Sequence, residues 1–263
     1  MPATPPTTPT PPAADPAEPP PALDLDAVEA DLSRRSAADI VGWACDTFGP
    51  RTMLTTSFGV QAAVMLHLVT SVRRDIPVVF IDTGFHFQET YAFADTLTRR
   101  LSLDLRVYQP QLSPSWFVAR HGKLWAGQTA EDLNRYDAMR KVEPMQRALA
   151  ELDPVATFAG LRKQQTAHRE NLRHVELQDG RYKVSPILRW STKDVHQYLK
   201  AHDLPYHPLH DQGYASVGDW HSTRPIGAGE DERAGRFNGL KQECGLHLPV
   251  SAAEDASRAS SDL

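Results

Sequence analysis

Cysteine is scarce in this chain: Cys45 and Cys244 are the two in 263 residues. Thiols so far apart make no disulfide framework, and without a Cys-x-x-Cys pair neither structural zinc nor iron–sulfur ligation is expected. The Pro-, Thr- and Ala-rich residues 1–22 lack the basic start and apolar run of a signal peptide or membrane span, and read as a disordered leader. The polar tail, residues 251–263, buries too little to fold alone. An excess of basic charge is missing too. With 28 Lys and Arg against 33 Asp and Glu the net charge is −5, which argues against a general nucleic-acid binder but permits a local cationic pocket. No His-Glu-x-x-His spacing accompanies the histidines, so no metal is expected. These absences leave a protein of the cytoplasm, where thiols stay reduced, with no membrane or nucleic-acid partner.

What is present is enough apolar residue, 41%, to bury a sizeable core. One domain is expected over residues 23–225, followed by residues 226–263 as a separate C-terminal stretch. Cys45 falls on a helical stripe with Ile40, Val41, Ala44 and Phe48, a core position. Cys244, in Glu243-Cys244-Gly245-Leu246-His247, lies in a polar segment. Its local context is balanced between a small buried hydrophobe and a nucleophile.

Strands and helices alternate. Residues 51–56 read as a strand, 57–61 as a tight loop and 62–69 as a helix; residues 76–81 form a continuous apolar run of the buried-strand kind. A helix is expected over 88–101, a strand near 103–108, a helix containing 140–152, and strands at 155–159 and 182–188. Ser191-Thr192-Lys193-Asp194 resembles a capping box that opens a helix reaching about Ala201. This order predicts an α/β fold with an open, mainly parallel sheet flanked by helices. In such sheets ligands sit beyond the carboxyl ends of the strands.

The loops at those ends carry the candidate site. Ser57-Phe58-Gly59-Val60-Gln61 offers backbone N–H groups and a helix N-terminus to an anion, although Ser and Gly also serve as an ordinary turn. Asp82-Thr83-Gly84 suits a ribose or base edge, or a plain turn. In the loop after residues 155–159, Arg162, Gln165 and Arg169 crowd together with Lys163 and Gln164, a donor set that grips phosphate or sulfate oxygens better than it covers a solvated face. Arg140 and Lys141 add charge, as do Arg224, Arg233 and Arg236. His221 and His247 are candidates to bind or polarise substrate.

Taken in order, these segments, together with Arg140-Lys141-Val142-Glu143-Pro144, Lys183-Val184-Ser185-Pro186-Ile187-Leu188 and Gly218-Asp219-Trp220-His221-Ser222-Thr223-Arg224-Pro225, resemble the assimilatory sulfonucleotide reductases over residues 51–247. The resemblance implies an adenine nucleotide alpha hydrolase-like fold of phosphate-loop type, and within the family it is to the phosphoadenylyl-sulfate (PAPS) reductases. The adenylyl-sulfate (APS) enzymes that hold an iron–sulfur cluster carry paired cysteines where this chain has Tyr136-Asp137 and Gly218-Asp219-Trp220. Their loop is of the Ser-Gly-Ala-Glu-Asp type rather than Ser-Phe-Gly-Val-Gln. A cluster-free APS reductase and a non-catalytic nucleotide sensor remain the alternative readings. At His86 and Gln88 the chain departs from its relatives.

The resemblance assigns Cys244 as the nucleophile that attacks PAPS, releases adenosine 3′,5′-bisphosphate and is then freed of sulfite by thioredoxin or glutaredoxin. It further implies a homodimer, no bound cofactor, and a mobile C-terminal arm that brings Cys244 over the substrate. Substrate would be held by Ser57, Phe58, Gly59, Gln61, Asp82, Thr83, Gly84, Lys141, Arg162, Gln165, Arg169, His221, Arg224, Arg233, Arg236 and His247.

Overall fold

The computed structural model describes residues 20–127, 129–165, 169–227, 229–232 and 234–237. Two short helices open it, α1 (Leu25–Leu32) and α2 (Ala37–Phe48), each capped by a side-chain oxygen, from Asp24 and Ser36. β1 (Thr52–Thr56), α3 (Ala62–Val72), β2 (Pro77–Ile81), α4 (Gln88–Leu101) and β3 (Asp104–Tyr108) then follow in alternation. After α5 (Pro114–His121) and α6 (Ala130–Asp137) a π turn, Ala138–Val142, leads into α7 (Glu143–Leu152). β4 (Ala156–Phe158), β5 (Val175–Gln178), β6 (Arg181–Val184) and α8 (Thr192–Ala201) complete the regular elements.

The six strands form one sheet in the order β3-β2-β1-β4-β6-β5. All neighbours are parallel except β5, which runs antiparallel to β6. The β5–β6 hairpin turns through Asp179 and Gly180, both at positive φ, the two-residue connection whose twist matches the strands. One sheet face packs Leu54, Val78, Phe80, Phe158 and Val184 against α2, α3 and α8. On the other face Met53, Val79 and Ile81 meet Ala148 and Met145 of α7. Cys45 is half-buried against the first of these cores, and burial raises its thiol pKa, as suits a packing residue.

Two expectations of regular structure need correcting. The helix expected to contain residues 140–152 is present but not regular: α7 covers Glu143–Leu152, and the π turn Ala138–Val142 joins it to α6. Pro144 has no N–H to give the carbonyl four residues back and its ring crowds that carbonyl, so a regular helix cannot run through residue 140; the wider turn just before the proline relieves the clash. The strand expected at residues 182–188 stops at Val184, where Pro186 ends the ladder and residues 185–188 turn inside the core. β5 and α5 were not anticipated at all. α4 and the capping box at Ser191 and Asp194 match expectation.

Candidate functional site

The strand order reverses between β1 and β4: the chain runs outward through β2 and β3, then returns to β4 on the other side of β1. Loops leaving the carboxyl ends of β1 and β4 therefore diverge and open a crevice. A cavity of about 520 Å³ runs from there along the sheet as far as the β5–β6 turn, within the roughly 300–1,000 Å³ usual for small-molecule sites. Ser57, Gly59, Gln61, Thr83, Lys141, Arg162, Gln165, Arg169 and Arg236 all line it.

Phe58 explains how the β1 loop is held. Its side chain is fully buried and meets Phe80 edge to face at 5.1 Å, while its N–H donates to Thr56 Oγ1 at 3.0 Å. Burial of such a ring contributes about 1.5–3 kcal/mol. Phe58 thus points into the core rather than the cavity, and its anchoring leaves Ser57 and Gly59 facing the crevice. α3 starts at Ala62 without a side-chain cap; its Ala62 and Val64 N–H groups donate to the Gly59 and Gln61 carbonyls at 3.0 and 3.1 Å, so what it presents to an anion is chiefly the positive end of the helix dipole.

Across the crevice Arg162 follows β4. It is 1% exposed, and its guanidinium donates to Gln61 Oε1 at 3.0 Å, Thr192 Oγ1 at 3.3 Å and Glu232 Oε2 at 3.1 Å. Burial lowers its pKa and the Glu232 carboxylate opposes that fall. Arg169, also buried, donates to Gln165. Residues 166–168 of this loop lie outside the described residues.

The opposite wall is a buried charge cluster. Asp219, wholly buried, accepts from Thr83 Oγ1 at 2.5 Å and lies 3.1 Å from Lys141 Nζ, which is itself 2.8 Å from Asp137. Burial alone would raise the Asp219 pKa, but Lys141 foremost, with the Thr83 hydrogen bond, holds it well below the carboxylate range. The π turn matters here because it directs two consecutive residues inward. Arg140 serves structure, donating to the carbonyls of Thr83 and Leu112. Lys141 faces the cavity with its charge already matched by two carboxylates.

Asp82 and Gly84 do not line the cavity. Asp82 accepts from Tyr91 Oη (2.7 Å), Gln109 Nε2 (2.7 Å) and the Gly84 N–H (2.8 Å), a clamp that fixes the turn. Burial works to raise its pKa, yet these hydrogen bonds hold it below its ordinary value. Gly84 has φ +74°, and a Cβ there would stand 2.6 Å from Pro114 Cγ. His221 lies behind the wall, its ring stacked on Trp125 at 4.1 Å and edge-on to Phe85 and Tyr136. Burial pulls its pKa down to about 4, so it is neutral at pH 7 and supplies no cation.

The last described segment returns to the site. Arg236 is 8% exposed, lines the cavity, and lies so close to Gly218 that a Cβ there would sit 2.2 Å from Arg236 Nη2. Arg224 turns away: it forms a forked pair with Glu230, 2.9 Å on each arm, and is not part of the lining. Arg233, Cys244 and His247 lie outside the described residues. Sequence reasoning did not single out Asp137, Asp219 or Glu232; Asp137, four residues before Lys141, has a helical spacing that signals the pair, whereas Asp219 and Glu232 are recognisable only once folding places them beside their cations. His86, noted only as a departure, lines the cavity with Nδ1 3.8 Å from Asp219 Oδ1. Chemically the crevice offers the positive end of a helix, arginines and a lysine around a space of ligand size, the equipment for a multiply charged anion. Among the described residues no group of three or more His, Cys, Asp or Glu is arranged to hold a metal ion. No described helix is long and apolar enough to cross a membrane.

Comparison with known proteins agrees with that chemistry. Residues 51–225 match the family described as "Phosphoadenosine phosphosulfate reductase domain". A phosphoadenosine 5′-phosphosulfate reductase of Synechocystis sp. is 59% identical over 242 residues, covering 92% of this chain and 97% of the relative. One from Xylella fastidiosa is 50% identical, covering 87% and 96%. Among solved structures, the phosphoadenylyl-sulfate reductase of Candida auris, a phosphate complex, superposes with a TM-score of 0.68 at 34% identity, covering 76% of this chain and 96% of that one. Candida glabrata FMN adenylyltransferase, at 18% identity and a TM-score of 0.54, covering 92% of this chain and 84% of that one, shares the fold.

Proposed function

The chain belongs to the phosphoadenosine phosphosulfate reductase family and is an enzyme that reduces PAPS in sulfate assimilation; from that premise we propose that its crevice binds PAPS and that Cys244 carries the sulfonate to an external dithiol. The observation that carries this reading is the anion-receptive cavity at the switch point, lined by Ser57, Gly59, Gln61, Lys141, Arg162, Arg169 and Arg236.

In the proposed reaction the Cys244 thiolate attacks the sulfonate sulfur. An S–S bond forms, the sulfur–oxygen bond to the 5′-phosphate breaks, and adenosine 3′,5′-bisphosphate leaves with the bonding pair. A thioredoxin or glutaredoxin thiolate then attacks Cys244 Sγ, and sulfite departs with the electrons of the S–S bond. The reductant's second thiol resolves the mixed disulfide, returning the Cys244 thiolate and an oxidised partner. A thiolate meeting a sulfonate is opposed by like charge, so cations around the transferring group lower the barrier. Arg236, from the segment leading towards Cys244, and Arg162 and Arg169, from the β4 loop, are suited to that work. Arg233 and His247 belong to the same proposal, on residues 226–263 acting as an arm over the nucleotide.

Cys45 is half-buried against the core, which supports a single reactive thiol and an external dithiol in place of a resident prosthetic group. The same reading places the enzyme in the cytoplasm as a homodimer. Intact-mass measurement after mixing reduced protein with PAPS should reveal a sulfonate adduct on Cys244 that reduced thioredoxin discharges, and Cys244→Ser should bind nucleotide without forming it. No adduct under conditions that support turnover would defeat the mechanism. Faster turnover of APS than of PAPS would reassign the substrate.

A further inference from the structure

We propose that Glu232 is an internal competitor for the anion subsite around Arg162, and that an oxyanion of the nucleotide takes its place when the site fills. The inference rests on reading the cavity as the sulfonucleotide site.

The ion pair is lopsided. Arg162 is built into the body with its side chain 2% exposed, whereas Glu232 reaches in from the segment after Gly229 with 33% of its side chain exposed. Both carboxylate oxygens are engaged: Oε2 by the Arg162 guanidinium at 3.1 Å and Oε1 by the Thr192 hydroxyl at 2.8 Å. Thr192 is the first residue of the ten-residue α8. A buried guanidinium and a hydroxyl at a helix start are donors that suit a phosphate or sulfate oxygen as well as a carboxylate. Gln61, from the β1 loop, supports the same guanidinium at 3.0 Å. Arg162, Thr192 and Gln61 all belong to the body and stay in place if the segment lifts.

A guanidinium this buried is costly without a counter-ion, and the chain supplies one in Glu232. Two anions cannot share one set of donors, because each disfavours the charge of the other. Seating of Glu232 and occupation by a nucleotide oxyanion therefore exclude one another. Apparent affinity is reduced by the fraction of molecules in which Glu232 is seated. Substrate arrival thereby becomes a signal to the segment that leads towards Cys244, twelve residues further along the sequence.

Titration calorimetry with adenosine 3′,5′-bisphosphate and with AMP, on wild type, Glu232→Gln and Glu131→Gln, tests the idea. Glu131 is exposed in the first turn of α6 and controls for net charge. Glu232→Gln should bind roughly tenfold tighter, and Glu131→Gln should match wild type. Tightening confined to the bisphosphate assigns the subsite to the 3′-phosphate; equal tightening for both assigns it to the 5′-phosphate. Hydrogen exchange over residues 224–232 should rise on nucleotide binding in wild type and be high from the start in Glu232→Gln. Glu232→Asp, one methylene shorter and still charged, should tighten binding in the same direction if the Gln variant folds poorly. Equal or weaker binding by these variants, with wild type binding normally, would show that Glu232 only orients Arg162 and would overturn the proposal. Failure of wild type to bind either nucleotide would instead defeat the assignment of the cavity.

Discussion

Replacing Asp219 by Asn removes one charge from the buried cluster while keeping an oxygen to accept from Thr83. Removing one partner of a buried ion pair commonly costs about 3–5 kcal/mol, because the other charge is left uncompensated. Here Lys141 retains Asp137 at 2.8 Å, so roughly half that loss, about 2 kcal/mol, is expected at pH 7. For a domain of this size that corresponds to a fall in Tm of about 4–8 °C. Urea and thermal unfolding followed by circular dichroism read both quantities. The pH dependence supplies a second check. The folded Asp219 carboxyl titrates well below its ordinary value, held there against burial by Lys141. Its stabilisation is therefore complete above the unfolded pKa of about 4 and is lost as pH falls below that towards the folded value. The gap between wild type and Asp219→Asn should stay level from pH 8 to about 4 and then close. A variant within about 0.5 kcal/mol of wild type at pH 7, the range of an ordinary surface change, would refute the account of this cluster.

Two further predictions concern Arg236 and the histidines His221 and His207, the latter held by Thr90 and Phe93. Gly218→Ala would place a methyl 2.2 Å from the present position of Arg236 Nη2, displacing the guanidinium; KM for PAPS should rise by roughly tenfold, the loss of one charged hydrogen bond, with Tm changed by no more than a few degrees. An unchanged KM would remove Arg236 from the binding set. Burial holds His207 and His221 near pKa 4, so between about pH 6.5 and 4 the unfolded chain takes up protons that the folded protein refuses. Stability should decline over that window by up to about 1.4 kcal/mol per pH unit for each histidine, and His221→Phe, which retains stacking on Trp125, should flatten the slope in urea titrations; an identical slope would contradict the burial argument.

The parts of the fold that were legible in the sequence are those governed by local chemistry. β-forming residues marked β1, a continuous apolar run marked β2, and Ser191 and Asp194 announced α8. The misses have local signals too, which packing alone made plain. Asp179-Gly180 is a hairpin turn, and Ser113-Pro114 a cap followed by a first-turn proline, the start of α5. Pro144 and Pro186 needed more weight than the apolar pattern around them. In the site, the loops at strand ends were readable because the topology places ligands there. Partnerships between distant residues were not: nothing near Arg162 in sequence points to Glu232, and nothing near Lys141 points to Asp219. Arg224 misled because its carboxylate, Glu230, sits six residues away in a turn whose geometry only folding defines.

The matching of Lys141, Arg162 and Arg224 by carboxylates of the same chain bears on which solutes the protein attracts. Paired charges cast short fields, so the enzyme should draw polyanions from solution more weakly than its count of basic residues suggests. On this account nucleic acids, which rely on rows of uncompensated cations, should gain little from approaching this mouth. On the proposed reading, a sulfonucleotide in the crevice meets Lys141 and Arg162 at close range, while Arg224 stays turned away, and there shape and donor geometry decide. Selectivity among cellular anions is thus moved from long-range attraction to the moment of contact.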